Sequence, residues 1–562
     1  MAVGGFFFNG QLHWQPQVDV QVNIQSQAGV LNGAYSLVLL GSANDSKPQA
    51  VNEWFDIPSA LAALSGGRLF TGVQLASDPL ANIQVAPASI KTVRVDEATQ
   101  ATLAIDNSTV PQLDLTSTSW GLNGNQTAVA ISAGSVSGYM VQARNDAVAK
   151  SVSQDNISRQ GLSLSYNGAT VSVTVTTNGT SLTVNGGTTP ALMFSVPYST
   201  YTTIQQVVNQ INSQANFTAA VLTSNPNDPS TALDWVTNAA VSTTAIDLNE
   251  NLYAVNLWFN SGAQPWVTSV IPSGAGAGLP TTGTWTYLTG ATVTAPTTTD
   301  WQNGMNALES DTDLDVVVVL TGQSAVHTML AAHCASMWAA SMPRWGHAGG
   351  DAGELYTQEI TRAQGLNSPY VELNWPGVYS SVPTAVSTLY PPYYTAVMTG
   401  SARAAQAVPA NTEGQSLNVV GMETPTSSVL DALLQYGVAA LKQDKSNGVY
   451  VSNAIMTIQN PQSEISRQEV SSIILGAYVR DVKTTIQAQI NGITTQILAN
   501  LAAKIAYNIA EDYFKAGLFT AQPSANQFSG AVSTSNAVTV AASVSVGVPN
   551  NFVGVSINAT TL

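Results

Sequence analysis

Asp313-Leu314-Asp315-Val316-Val317-Val318-Val319-Leu320 is the stretch whose reading decides the fold class. Four valines and a leucine in succession leave no polar alternate and so no face to offer to water. That is the pattern of a strand covered on both sides, as in a sheet with helices on each face. A helical stretch at 300–309 precedes the run and another follows at about 324–341, which makes this an α/β region. Upstream, 262–300 is rich in Gly, Pro and Thr and reads as a linker or surface loop. A smaller α/β unit is expected at 35–76. Tyr35-Ser36-Leu37-Val38-Leu39-Leu40-Gly41 has the look of a buried strand, and Ile57–Leu64 that of a short helix stopped by Ser65-Gly66-Gly67.

From about 90 to 235 the chain reads as mostly β. Short Val/Thr/Ser strands such as 169–176 are punctuated by Asn-Gly pairs at 123, 167, 178 and 185, a hairpin signal. One helix, 204–212, interrupts them. The longest helical stretch is 463–517, broken near Asn491-Gly492, and no repeat of solenoid length stands out. Both ends of the chain alternate strictly. Val18, Val20, Val22 and Ile24 are separated by polar residues; Val544, Val546 and Val548 are too, and Val553, Val555 and Ile557 follow after the turn Pro549-Asn550-Asn551. Period-two alternation marks half-buried strands. Strands at the extremes of a chain either complete its own sheets or add to the sheet edge of another molecule.

Composition narrows the classes. Only 9% of the 562 residues are charged, against about 25% in an ordinary soluble protein. Either much of the surface is buried against neighbours, or this is a Ser/Thr-rich secreted protein with a bland polar surface. The net charge of −16 lies entirely before residue 425: the segment from there on holds seven of the 17 basic and seven of the 33 acidic residues, leaving 10 and 26 for the rest. An acidic total lacks the basic footprint that nucleic-acid binding needs. No stretch approaches the ~18 apolar residues of a membrane span. The start, Met1-Ala2-Val3-Gly4-Gly5, has neither the basic nor the long apolar region of a signal peptide, so none is expected. The single cysteine, Cys334, lies in an apolar run and reads as a small buried residue.

Catalysis is not expected. Asp315, His327 or His333, and Ser401 follow one another in the order Asp, His, Ser, but nothing around Ser401 reads as an oxyanion hole. Asp311, Asp313 and Asp315 have calcium-loop spacing at their start yet lack the glycine and distal glutamate of an EF-hand, and so read as a solvated lead-in to the strand. The four histidines form no metal motif, and no phosphate-binding loop is present. No cofactor is implied.

The landmarks, in their order, resemble the tail sheath family of contractile phages and related injection machines. Pro16 and the alternating strand after it resemble an N-terminal arm. Leu37-Val38-Leu39-Leu40-Gly41-Ser42-Ala43 resembles the strand and turn of the first module, and Leu115-Thr116-Ser117-Thr118-Ser119-Trp120-Gly121-Leu122-Asn123-Gly124-Asn125 the start of a β-sandwich. Tyr287-Leu288-Thr289-Gly290-Ala291, with Asp300-Trp301 and Ala307-Leu308-Glu309, resembles the start of a subtilisin-like domain. Val408-Pro409-Ala410-Asn411-Thr412-Glu413-Gly414-Gln415-Ser416-Leu417 and Leu434-Gln435-Tyr436-Gly437-Val438 resemble its close, and Tyr450-Val451-Ser452-Asn453-Ala454-Ile455-Met456-Thr457 a strand of the C-terminal domain.

The resemblance implies a multidomain α+β and α/β fold. Its parts would be an arm at 1–27, an α/β module at 28–95, an inserted outer β-sandwich at 96–240, a linker with an inactive subtilisin-like domain at 241–424, a C-terminal sheath domain at 425–535 and a strand arm at 536–562. It implies a subunit that polymerises helically around a tail tube and contracts to drive the tube through a cell envelope. The arms at 16–25 and 543–558 would pair with neighbouring C-terminal domains. The partners would be further copies, the tube, and baseplate and terminator proteins, assembled in the host bacterial cytoplasm into a virion tail. Arg467, Arg480, Lys483 and Lys504 are the candidates for facing the tube. The rival readings are a secreted or surface-layer adhesin and a serine hydrolase.

Overall fold

A computed structural model describes residues 34–546 apart from 108–109, 274, 276–277, 280–283, 383–385, 408–411, 446–447, 460–466, 490–494 and 533–537, together with the backbone of two short strands at 6–8 and 11–13. The chain divides into two compact units: 44–48 with 97–295, and the rest.

The larger unit is built on an eight-stranded sheet. In chain order its strands are β1 (Ser36–Gly41), β2 (Val51–Trp54), β3 (Ser89–Arg94), β4 (Val316–Val319), β5 (Trp345–Gly349), β6 (Val371–Trp375), β7 (Val438–Asp444) and β8 (Gly448–Val451). Across the sheet the order is β8-β7-β6-β5-β4-β1-β3-β2. The six strands from β7 to β3 are parallel, and the two edge strands run antiparallel to their neighbours. The valine run is strand β4 at the centre, all four residues buried.

Its alternate side chains serve two cores, as the pleat requires. Val316 and Val318 join Leu37 and Leu39 beneath α1 (Ile57–Leu64), α2 (Gly67–Ala76) and α6 (Pro392–Ala404). Val317 and Val319 join Val38 and Leu40 beneath α3 (Thr298–Asn306), α4 (Ser324–Ala339), α5 (Tyr356–Leu366) and α7 (Ser427–Gln435). The helix ends are written locally. The Asp56 side chain accepts from Ser59 N at 2.9 Å to start α1, and Ser65 closes it in the left-handed region at φ 54°. Thr297 and Asp300 form a reciprocal capping box on α3. At the end of β5 the sheet has no room for a side chain: a Cβ on Gly349 would lie 2.3 Å from the Pro392 carbonyl carbon. Gly349→Ala is expected to destabilise this unit by about 3 kcal/mol, the upper part of the overpacking range, read as a lowered urea midpoint.

Beyond the sheet, α8 (Glu469–Gln489) and α9 (Gln496–Lys515) pack on each other and on a hairpin of β9 (Phe528–Val532) and β10 (Val538–Ala542). Tyr478 donates its hydroxyl to Ala506 O at 3.0 Å between the two helices. A Cβ on Gly530 would fall 1.8 Å from Ala499 O, so only glycine lets β9 lie against α9.

The smaller unit is β-rich and holds two cores. One gathers strands 100–107, 110–120, 127–133, 139–145 and 267–270 around Val255, Trp258 and Phe259 of the helix Asn251–Asn260. The other gathers strands 160–166, 174–177, 181–186, 191–197, 217–221 and 246–249 around helix Ile204–Asn212. The unit runs to 295, and the helix at 251–260 and the strand at 267–270, the latter within the stretch expected to be loop, fill its first core. Of the four Asn-Gly pairs, that at 178 turns a hairpin, Thr177 facing Leu182; the pair at 123 sits in a 3-10 turn. No helix among the described residues is long and apolar enough to cross a membrane.

Candidate functional site

Three of the four cations expected to face the tube are engaged within the chain. α8 lies along the sheet by one face, at positions 469, 472, 476, 480 and 483, the i, i+3, i+7 spacing of a helix seam. Ser472 Oγ takes the Trp345 indole N–H at 3.0 Å. Gly476 lets the same ring approach, since a Cβ there would be 2.4 Å from it. Arg480 pairs with Asp315, donates to the Pro343 carbonyl, and stands 5.5 Å from the Trp345 ring centroid. Lys483 donates to the carbonyls of Ala340 and Ser341, both at 3.2 Å. Arg467 caps the C-terminal carbonyls of α7, donating to Leu434 O and, at 3.1 Å, to Gln435 O.

Lys504 differs. It is exposed on α9, beside a groove of about 450 Å³ lined by Asn500, Tyr507 and Phe528. On the same helix Ile497 is 79% exposed and Leu501 42%. Positions 497, 501 and 504 share one face at i, i+4 and i+7, an apolar strip ended by a cation.

The arm residues Val18, Val20, Val22, Ile24, Val553, Val555 and Ile557 lie outside the described residues. Val544 and Val546 pack in the chain's own C-terminal cluster: Val546 is 5% exposed and bridges Phe519, and Ser545 O accepts from Thr520 N at 2.8 Å. An arm that leaves the subunit therefore starts after them. The β9–β10 hairpin they flank has no third strand among the described residues.

The residues considered for a hydrolase are not assembled as one. Ser401 donates to Ala76 O at 2.5 Å inside α6 packing. His327 donates Nε2–H to Thr321 O at 2.7 Å, and His333 accepts from Arg344 Nη1 at 2.9 Å. Burial, with a nearby arginine in each case, pushes both imidazoles down to about 4, so they are neutral packing groups. Burial pushes the Cys334 thiol up to about 12. Two of the three aspartates before β4 are engaged, while Asp313 is exposed. Asp311 takes Lys91 Nζ at 2.6 Å, and Asp315 takes Ser36 N at 2.8 Å besides Arg480.

One cluster went unseen in the sequence. His347 of β5 lies between Glu372 of β6 and Glu469 at the head of α8. Its Nδ1 is 3.5 Å from Glu372 Oε1 and its Nε2 is 3.3 Å from Glu469 Oε1, with all three side chains 1–2% exposed. Ligand atoms of the three lie within 4.8 Å of one another, the loose spacing of a metal site.

No family model matches the chain. Over 542 residues it is 23% identical to the tail sheath protein of Bacillus phage SP01, covering 89% of this chain and 90% of that protein. Among solved structures it is similar to a sheath tail protein from Listeria innocua, with a TM-score of 0.54 at 11% identity over 93% of this chain and 94% of that one. It is also similar to a sheath tail protein from Desulfitobacterium hafniense, with a TM-score of 0.53 at 11% identity over 94% and 96%. Both similarities run nearly end to end, and the mixed α+β, multidomain fold is that of these sheath proteins.

Proposed function

We propose that this chain, a homologue of tail sheath proteins, is the structural subunit of a contractile sheath, polymerising around a tail tube and contracting to drive the tube through a cell envelope. The observation that carries this is the similarity to the phage SP01 sheath protein over nine-tenths of both chains. The subunit acts by assembly, without a catalytic centre or cofactor, in the tail of a virion put together in the host cytoplasm. The parallel sheet is the inner, subtilisin-like module; the β-rich unit is the outer one.

Links between subunits are strand additions. The arm near 16–25 and the segment after Val546 leave the subunit and pair with β9–β10 hairpins of neighbours, where main-chain hydrogen bonds give strength and alternate valines give register. The two-stranded hairpin and few charges support this reading. The tube meets the α9 strip of Ile497, Leu501 and Lys504, while baseplate and terminator proteins close the two ends. Lys504→Glu is expected to lower the fraction of sheath assembled on tubes several-fold without changing the melting temperature, measured by co-sedimentation with purified tubes. Unchanged co-sedimentation removes Lys504 from the contact.

Negative-stain electron microscopy of the purified chain, alone and with tail tubes, tests the whole. Tubes or stacked rings of uniform width are expected. Dispersed particles under both conditions overturn the sheath reading.

A further inference from the structure

His347 occupies the middle of a sheet covered on both faces, where a polar side chain is retained only with partners. Its two partners come from different layers: Glu372 from the next strand and Glu469 from the first turn of α8. Each ring nitrogen faces its own carboxylate. A neutral imidazole has one N–H and would leave one buried carboxylate facing a lone pair; an imidazolium donates to both.

The charges around it agree. Arg403 of α6, 1% exposed, is attracted by Glu469, so imidazolium, guanidinium and the two carboxylates sum to zero. The other groups turned to the cluster are neutral: Thr399 Oγ1 lies 3.4 Å from His347 Nδ1, Thr412 donates to Glu469 Oε2 at 3.4 Å, and the buried Asn374 lies on the same strand as Glu372. Beyond Arg403 lies the Tyr35 ring. β4 presents Val316 and Val318 on this face, and the histidines of α4 are engaged elsewhere by Thr321 and Arg344. A bound dication with neutral histidine would leave a net positive charge in the pocket. A metal would also take only one ring nitrogen, whereas here each ring nitrogen faces a carboxylate, at 3.5 and 3.3 Å.

We propose that His347 is a proton-held latch: as an imidazolium it fastens the head of α8, and with it the C-terminal helical layer, to the parallel sheet, and it frees that head when it loses its proton. Burial alone would push the imidazole down, but hydrogen bonds and attraction from Glu372 and Glu469 hold it up at about 9. Burial and Glu469 raise the Glu372 carboxyl. Because the folded-state value of His347 lies above the ordinary ~6.5, its contribution is complete below that pH and is lost as pH rises through about 9.

Pulse-labelling hydrogen exchange on the full chain, with pulses scaled to the intrinsic rate at each pH, reads the latch directly. Protection of 469–480 is expected to fall by up to roughly tenfold per pH unit between about 6.5 and about 9 and to level off above that, while protection of α4 stays level. His347→Gln is expected to show the released level already at pH 7 and no midpoint, and Glu469→Gln the same should the first variant fail to fold. A flat wild-type profile from pH 7 to 10.5, or a midpoint that survives in the variants, overturns the proposal. So does one bound metal per chain by native mass spectrometry with chelation releasing α8 at pH 7.

Discussion

Val20→Pro and Val555→Pro are each expected to abolish polymerisation and leave the subunit folded. Both positions fall on the apolar phase of an alternating stretch, and proline would remove a donor from the ladder that the proposed arm makes with its host sheet. A strand addition of some five residues depends on a handful of such bonds, and the ring also obstructs the close approach of the partner strand. The subunit itself loses nothing comparable. On the strand-addition reading the arms contribute nothing to the subunit's own cores, so each substitution is expected to change its stability by no more than about 0.5 kcal/mol. Val20→Thr, which keeps the N–H and the β-branched shape, is the matched control and assembles. Electron microscopy counts the sheaths, and circular dichroism melting checks the fold. Normal sheaths from both proline variants would sink the strand-addition mechanism while leaving the sheath assignment standing.

What the sequence disclosed of the fold is what is locally written. Ile57–Leu64 and Ile204–Asn212 were legible to the residue because their ends carry side-chain caps: Asp56 on the first, and a Thr203–Gln206 box on the second. Val316–Val319 was legible because a strand buried on both faces cannot hide its apolar run. The helix Asn251–Asn260 carries no comparable local signal. Its N-cap residue Glu250 makes no capping bond and it has three asparagines; its first two amides are taken by the carboxylate of the distant Asp234, and it holds its shape through Val255, Trp258 and Phe259 in a core assembled from distant strands. Tertiary packing overrides weak propensity there.

The candidate site divides similarly. Alternation at the two ends is a local signal and pointed to arms, yet nothing local told Val546 that Phe519 would bury it. Cations on a helix read as outward-facing until the seam is known: Arg480 and Lys483 are i, i+3 on the face that docks, Lys504 is on a face that does not. The His347 cluster joins residues far apart in sequence, so no spacing rule finds it. A signal did exist. Trp345-Gly346-His347-Ala348-Gly349 and Val371-Glu372-Leu373-Asn374-Trp375 are apolar strands each interrupted by an ionisable residue, and a strand buried on both faces that carries a charge must find the opposite charge nearby.

The same logic gives the largest stability effect expected of a single substitution. Arg94, the last residue of β3, is wholly buried, and donates Nε at 3.0 Å and Nη2 at 2.7 Å to one oxygen of Asp96. The other oxygen of Asp96 accepts from Ala43 N at 3.1 Å. The pair thus ties the ends of two adjacent central strands at the point where the chain leaves this unit. Arg94→Ala strands a 2%-exposed carboxylate without its cation and opens a cavity the length of the arginine stem. Breaking a buried pair from one side costs about 3–5 kcal/mol, well above the effect of most core truncations to valine. The double variant Arg94→Met, Asp96→Asn removes both charges together, fills the cavity with a flexible apolar chain, and keeps an oxygen for the Ala43 amide. It is expected to recover at least half of the loss, because desolvation of the two ions largely cancels their attraction. Urea unfolding of the three proteins, followed by tryptophan fluorescence at concentrations below assembly, decides the matter. Equal losses in the single and double variants would mean that packing of the stem, and not the stranded charge, sets the stability of this corner.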